Sequence, residues 1–174
     1  MNAPRAHAPA ALLAAMILAA CGGGGDGDGG NSTTLPGVSQ PVEIVRDSNG
    51  VAHIYAQNQR DLFFAQGFNA ARDRLWQLDQ WRRRGEGKMS EQFGPRFVEH
   101  DRAARLFLFR GNLDEEFASY HPDAREILTA FSEGINAFVD QALADPEKMP
   151  IEFRLTGTQP GRWSPTSSLI RIYG

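Results

Sequence analysis

The sequence predicts a mainly α-helical fold opened by an N-terminal β-hairpin, and two patterns carry that reading. Two β-prone runs, 42–47 and 51–56, flank Ser48-Asn49-Gly50, and Asn-Gly is a strong hairpin signal because both residues tolerate positive φ. From Asp61 onward the apolar residues recur at spacings of three and four. They do so first at Phe64, Phe68, Ala71, Leu75 and Leu78, then at Ile127, Phe131, Ile135, Phe138 and Val139, which marks two amphipathic helices.

The chain has 174 residues, 41% of them hydrophobic and 22% charged, the balance of an ordinary globular protein. A net charge of -3 gives no reason to expect nucleic acid as a partner. The averages conceal an uneven chain, divided into a signal peptide over 1–20, a glycine-rich tether over 21–41 and a folded domain over 42–174.

Arg5 supplies a short positive region, and Ala8 to Ala20 form a continuous apolar run. That run has signal-peptide length and falls short of the ~20 residues a membrane span needs. It ends in Leu18-Ala19-Ala20-Cys21, which resembles the lipobox of bacterial lipoproteins, where the cysteine thiol is lipidated and cleavage makes it the new N-terminus. The other reading is an ordinary secretory signal with a chance cysteine. Either way the segment implies export, and a single cysteine excludes an intrachain disulfide. Asp26 and Asp28 alternate with glycine after Cys21 but lack the further ligands of a calcium loop, so the stretch reads as a linker.

The first long helix starts near Asp61, whose charge suits a helix N-terminus, and ends at Gly85 and Gly87 behind Arg82, Arg83 and Arg84. Short helices are expected over 89–93, stopped by Gly94-Pro95, and over 101–109. Pro122 opens a further helix running to Ala142, with Gly134 inside it. A glycine there costs about 1 kcal/mol relative to alanine, so it marks a close helix contact. Trp163-Ser164-Pro165 introduces a last helix that has barely begun at Gly174. The expectation is a hairpin followed by four or five helices.

No metal-site spacing, nucleophile elbow, P-loop or dinucleotide fingerprint occurs. His53 on the second strand reads as a hydrogen-bonded structural residue, since no nucleophile is identifiable beside it, and His100-Asp101 is a commonplace pair. Arg72-Asp73-Arg74 and Arg82-Arg83-Arg84 read as Arg–Asp pairing that fixes helix packing rather than as an anion-binding patch.

Several strings together are more specific. The run 44–56 (IVRDSNGVAHIYA) is followed by 61–68 (DLFFAQGF) and 71–79 (ARDRLWQLD). Arg82-Arg83, Ser90-Glu91, Gly94, Asp101 and Arg105 come next, then 134–137 (GINA), 150–153 (PIEF) and 160–165 (PGRWSP). In order and spacing this set resembles the penicillin acylase (penicillin amidase) family, over nearly everything from Val42 onward. Ala52 stands where many relatives have proline and Ser167 where many have aspartate; serine can still cap the last helix.

The resemblance implies an αββα N-terminal nucleophile hydrolase, of which this chain is an incomplete portion. Such enzymes are precursors with a signal, an α segment, a spacer and a longer β segment. Self-cleavage frees the β segment's N-terminal serine, which acts as nucleophile and, through its α-amine, as base. The reaction is hydrolysis of an acyl amide, as in β-lactam antibiotics, lipopeptides or acyl-homoserine lactones. The chain matches only the earlier part of the α segment, so it carries no catalytic, cofactor or metal residue, and calcium is expected only for the complete enzyme. Arg46, Asp47, Asp73, Arg74 and Asn136 are expected to fix the hairpin against the helices, with Gly50, His53, Gly134 and Trp163 as further structural positions. The partners implied are the β segment, a small acyl-amide substrate and, through Cys21, the membrane, which places the protein in the periplasm. Without the β segment the apolar helix faces should make the chain unstable or aggregation-prone. The end inside a helix suggests truncation; a free-standing binding lipoprotein or a remnant of a disrupted gene are the competing readings.

Overall fold

Asn58 begins the first helix: its side chain accepts a hydrogen bond from the Asp61 amide at 2.8 Å, satisfying one of the donors a helix start leaves unpaired. The helix, α1 (Gln59–Glu86), is the longest element of a computed structural model that describes residues 32–33 and 35–169. It ends at Gly87, whose φ of 65° and amide contacts to the Arg83 and Arg84 carbonyls close the last turn. Gly85 lies inside the helix, so Gly87 alone is the stop. Arg74 is non-helical (φ −143°, ψ 31°), and the helix kinks there.

Ahead of α1 lies a three-stranded antiparallel sheet of β1 (Ser32–Thr33), β2 (Val42–Arg46) and β3 (Ala52–Tyr55), in that order. Val45 faces His53 and Ile44 faces Ile54 across the hairpin. Val42 and Ile44 point to the core and their neighbours outward, the alternation of a half-buried strand. After α1 come α2 (Met89–Phe93), α3 (Val98–Leu106), α4 (Leu113–Ser119), α5 (Ala124–Ala144) and α6 (Ile151–Thr156), with one-turn 3₁₀ segments at Pro95–Phe97, Pro146–Lys148 and Pro165–Ser168.

The core is the crossing of α1 on α5. A Cβ added to Gly67 would lie 2.0 Å from the Phe131 carbonyl oxygen, and one added to Gly134 would lie 1.9 Å from that of Phe64. The two backbones therefore touch, and only hydrogen fits at both positions. Around this contact Phe68 meets Phe138 edge-to-face at 5.6 Å, and Trp76 meets Phe153 at 4.8 Å. Ile135, Val139, Ala142 and Leu75 fill the remainder.

Several expectations are corrected. The expected tether over 21–41 is shorter at its end, because Leu35 is only 3% exposed and the following residues are hydrogen-bonded to α1. The helix expected over 101–109 is displaced to Val98–Leu106, leaving Phe107 and Phe109 in the exposed connection to α4. α5 is shifted two residues later than expected, to Ala124–Ala144. Two short helices, α4 and α6, had no sequence signal. The signal peptide, Cys21 and the chain end at 170–174 lie outside the described residues.

Candidate functional site

Three buried carboxylates and one half-buried amide are held by hydrogen bonds inside the fold. Asp61, fully buried, accepts from the Ser39 amide (2.9 Å), the Ser39 hydroxyl (2.7 Å), the Gln40 amide (2.9 Å) and Asn58 Nδ2 (2.7 Å). Burial by itself would raise its pKa, but these donors outweigh burial and bring it down to about 2. The arm 35–41 is thus clasped onto the start of α1.

Asp79 sits at the other end of α1. It accepts from Arg82 Nη2 (2.7 Å), Arg83 Nε (2.7 Å) and the Gly161 amide (2.9 Å). Arg83 also donates to the Gln159 carbonyl at 3.1 Å, so the loop after α6 is pinned to the C-terminal turns of α1. Gly161 has no room for a side chain, since a Cβ would lie 2.0 Å from Arg82 Nη2.

Asp101 does for α2 what a capping residue does. Lys88, at the N-cap, makes no side-chain cap, and Asp101 accepts instead from the Met89 amide (2.9 Å) and the Ser90 amide (2.7 Å) and hydroxyl. Burial opposes its charge, and the Ser90 and Met89 donors prevail, lowering its pKa.

Asn136 closes the set from α5. Its Nδ2 donates to the Trp163 carbonyl at 2.8 Å, and its Oδ1 accepts from the Trp163 amide at 2.9 Å, the two bonds a neighbouring strand would make. Beside Asn136 opens a mostly apolar cavity of ≈ 540 Å³, walled by Pro36, Phe64, Ala137 and Ala144 and rimmed by Glu133 and Asp140. Both rim carboxylates already hold an arginine, Arg60 on Glu133 and Arg162 on Asp140.

The residues singled out in the sequence are not brought to one place. Arg46 reaches from β2 to Asp73 on α1 at 2.6 Å and to Asn69 at 3.0 Å, so this pair does tie hairpin to helix. Asp47 does not: its Oδ1 accepts from the Asn49 and Val51 amides, both at 2.9 Å, and its Oδ2 meets His53 Nε2 at 3.2 Å. It organises its own turn, which Gly50 completes with a φ of 79°, and the His53 hydrogen bond leads the causes that lower its pKa. Arg74 is exposed at the α1 kink. Asn136 holds Trp163 rather than the hairpin, and Gly134 lies at the α1 crossing.

The sequence reading missed Asn58, Ser39 and the N-terminal arm, and it assigned Asp61 a dipole role where the structure shows a buried acceptor. The signal was available in Asn58-x-x-Asp61, a polar pair at capping distance. Among the described residues no three His, Cys, Asp or Glu side chains converge as a metal set. The arrangement orders backbone: Asp61, Asp79 and Asp101 each accept from backbone amides.

Residues 41–173 match the penicillin amidase family. Penicillin G acylase of Escherichia coli is 34% identical over 128 residues, covering 73% of this chain and 15% of that relative. Penicillin acylase 2 proenzyme of Pseudomonas sp. (strain SE83) is 35% identical over 138 residues, covering 79% and 17%. An acyl-homoserine lactone acylase, QuiP, of Pseudomonas aeruginosa is 27% identical over 136 residues, covering 78% and 16%. The chain thus spans 15–17% of the length of these relatives. A solved structure, a thermostable penicillin G acylase from Alcaligenes faecalis, superposes with a TM-score of 0.69 at 29% identity, over 75% of this chain and 69% of that one.

Proposed function

The chain belongs to the penicillin amidase family, and from that footing we propose that it is the N-terminal part of an exported amidohydrolase that cleaves the amide between an acyl group and an amine. The nucleophile and its oxyanion donors belong to a later segment, and this part builds the frame that segment packs on. The observation that carries the reading is the family match over 41–173 combined with buried Asp61, Asp79 and Asp101 carboxylates that are each engaged by backbone amides. The relative named a proenzyme fits a precursor that matures by cleavage. So does the solved chain, which is of similar length to this one by its mutual coverage, whereas the curated relatives are several times longer.

The exposed surface agrees with a large missing partner. Leu106 and Phe107 are 72% and 71% exposed, and Leu155 is 78% exposed, apolar side chains that a further segment would cover. The partner is the β segment of the same precursor, and the substrate is a penicillin-like, lipopeptide or acyl-homoserine lactone amide.

The test is to assay release of free amine from penicillin G and from an N-acyl-homoserine lactone. The 174-residue chain alone is expected to release none, and the same chain continued by the downstream coding sequence is expected to release amine from at least one. Turnover by the isolated chain would overturn the proposal, and so would a continued, correctly folded precursor with no turnover.

A further inference from the structure

The hairpin tip carries a reactive pair, Asn49-Gly50, that the amidase reading leaves unused. Asparagine before glycine is the sequence in which the following amide nitrogen most easily reaches the side-chain carbonyl, because glycine has no Cβ to hinder the approach. Both residues are exposed, and a Cβ built on Gly50 would meet nothing within 4 Å. Water, and the ring that must form, therefore have room on this side of the turn.

The nucleophile of such a ring closure is held in place. The Gly50 amide donates to the Asp47 carbonyl at 2.9 Å, and Asp47 Oδ1 accepts from the Asn49 and Val51 amides, both at 2.9 Å. The Asp47 amide in turn donates to the Val51 carbonyl at 3.1 Å. Ring closure needs the Gly50 nitrogen deprotonated and turned toward Asn49 Cγ, so its bond to Asp47 must break first. Arg46 senses the same turn from outside: Nη1 donates to the Gly50 carbonyl at 3.1 Å while Nη2 holds Asp73 on α1.

We propose that Asn49 is a site of spontaneous deamidation, and that Asp47 sets its rate by holding the turn shut. In the opened turn the Gly50 nitrogen gives its proton to solvent and attacks Asn49 Cγ. The N–C bond forms, the Cγ–Nδ2 bond breaks, and the nitrogen leaves as ammonia with a proton taken from solvent. Water then opens the succinimide at either carbonyl, leaving aspartate or isoaspartate at position 49. The isoaspartyl product routes the main chain through the side-chain methylene, adding one backbone carbon before Gly50. The turn then no longer presents the Gly50 carbonyl to Arg46, and a chemical change at the hairpin tip loosens its tie to α1.

The test follows the tryptic peptide 47–60 from the 174-residue chain kept at neutral pH, once in buffer and once unfolded in guanidinium chloride. Fragmentation assigns the amide-to-acid mass gain to position 49, and an isoaspartyl methyltransferase counts the isoaspartate. Loss of the amide is expected in both, about tenfold or more slower in buffer, because opening the turn gives up several hydrogen bonds. Asp47→Ala should bring the rate in buffer up toward the unfolded rate, while the Ser39 and Gln40 amides stay protected from exchange and so report an intact domain. Asp47→Asn, which keeps an acceptor, should stay near the parent, and Asn49→Gln should abolish the mass gain at that position. No gain at 49 in the unfolded chain would overturn the site. Equal rates folded and unfolded, or an Asp47→Ala chain no faster than the parent, would overturn the clamp. None of these readouts involves amidase activity, so the two proposals fail separately.

Discussion

Asn136 and Trp163, 27 residues apart, hold each other by two hydrogen bonds, Asn136 Nδ2 to the Trp163 carbonyl at 2.8 Å and the Trp163 amide to Asn136 Oδ1 at 2.9 Å. The amide side chain is the one group of its size that both donates and accepts in this geometry. Asn136→Asp keeps the acceptor and turns the donor into a repelled oxygen, while Asn136→Ala leaves two backbone groups unpaired. Both should lower stability by about 1–3 kcal/mol, with Asp the worse near neutral pH. Urea unfolding of the protein checks it; an unchanged midpoint in both variants would remove the pair from the fold's support.

Gly67→Ala and Gly134→Ala test the α1–α5 crossing. Helix propensity alone predicts that each gains about 1 kcal/mol. The contact predicts the reverse, because the new methyl would overlap a backbone carbonyl that no side-chain rotation can move. Each should cost about 3 kcal/mol or more, read as loss of soluble protein or a lowered thermal midpoint.

Asp61 predicts an acid-sensitive arm. Its folded pKa is about 2 against an ordinary value of 3.8, so its contribution is complete above the ordinary value and is lost as pH falls from there through the folded value. The shift corresponds to about 2 kcal/mol. Asp61→Asn should flatten that part of the stability–pH curve and speed amide exchange at Ser39 and Gln40 at neutral pH. Hydrogen exchange that leaves those two amides as protected as in the parent would contradict the clasp.

The Arg46–Asp73 pair should matter far less than its 2.6 Å length suggests. Both side chains are over a third exposed or close to it, at 38% and 33%, and solvent screens such pairs to about 0–1 kcal/mol. Arg46→Met is expected to shift the thermal midpoint by no more than a degree or two, and a double-mutant cycle with Asp73→Asn measures the coupling directly. A coupling above about 2 kcal/mol would show that the pair is effectively buried.

What the sequence disclosed follows the range of the forces involved. α1 and α5 were legible because burial against one surface imposes the 3.6 period on Phe64–Leu78 and on the Ile127–Val139 stripe. The hairpin was legible because Gly50 must sit at a turn. α4 and α6 were not, since each buries a single aromatic, Phe117 and Phe153, and one residue makes no period. Asp61 was read only as a charge suited to the helix N-terminus because its donors, Ser39 and Gln40, are more than twenty residues away. The expected architectural roles divided for the same reason: Arg46 and Asp73 meet across the fold, whereas Asp47 is satisfied within six residues of itself.

The loop anchored by Asp79 has a directional consequence. Gly161 is locked against Arg82, Gln159 against Arg83, and Trp163 against Asn136, so three successive grips aim the backbone before Ser164. Polypeptide leaving that point starts from a fixed origin with a fixed bearing, as a rope does past its last pulley. A later segment can then be placed accurately by residues it never touches.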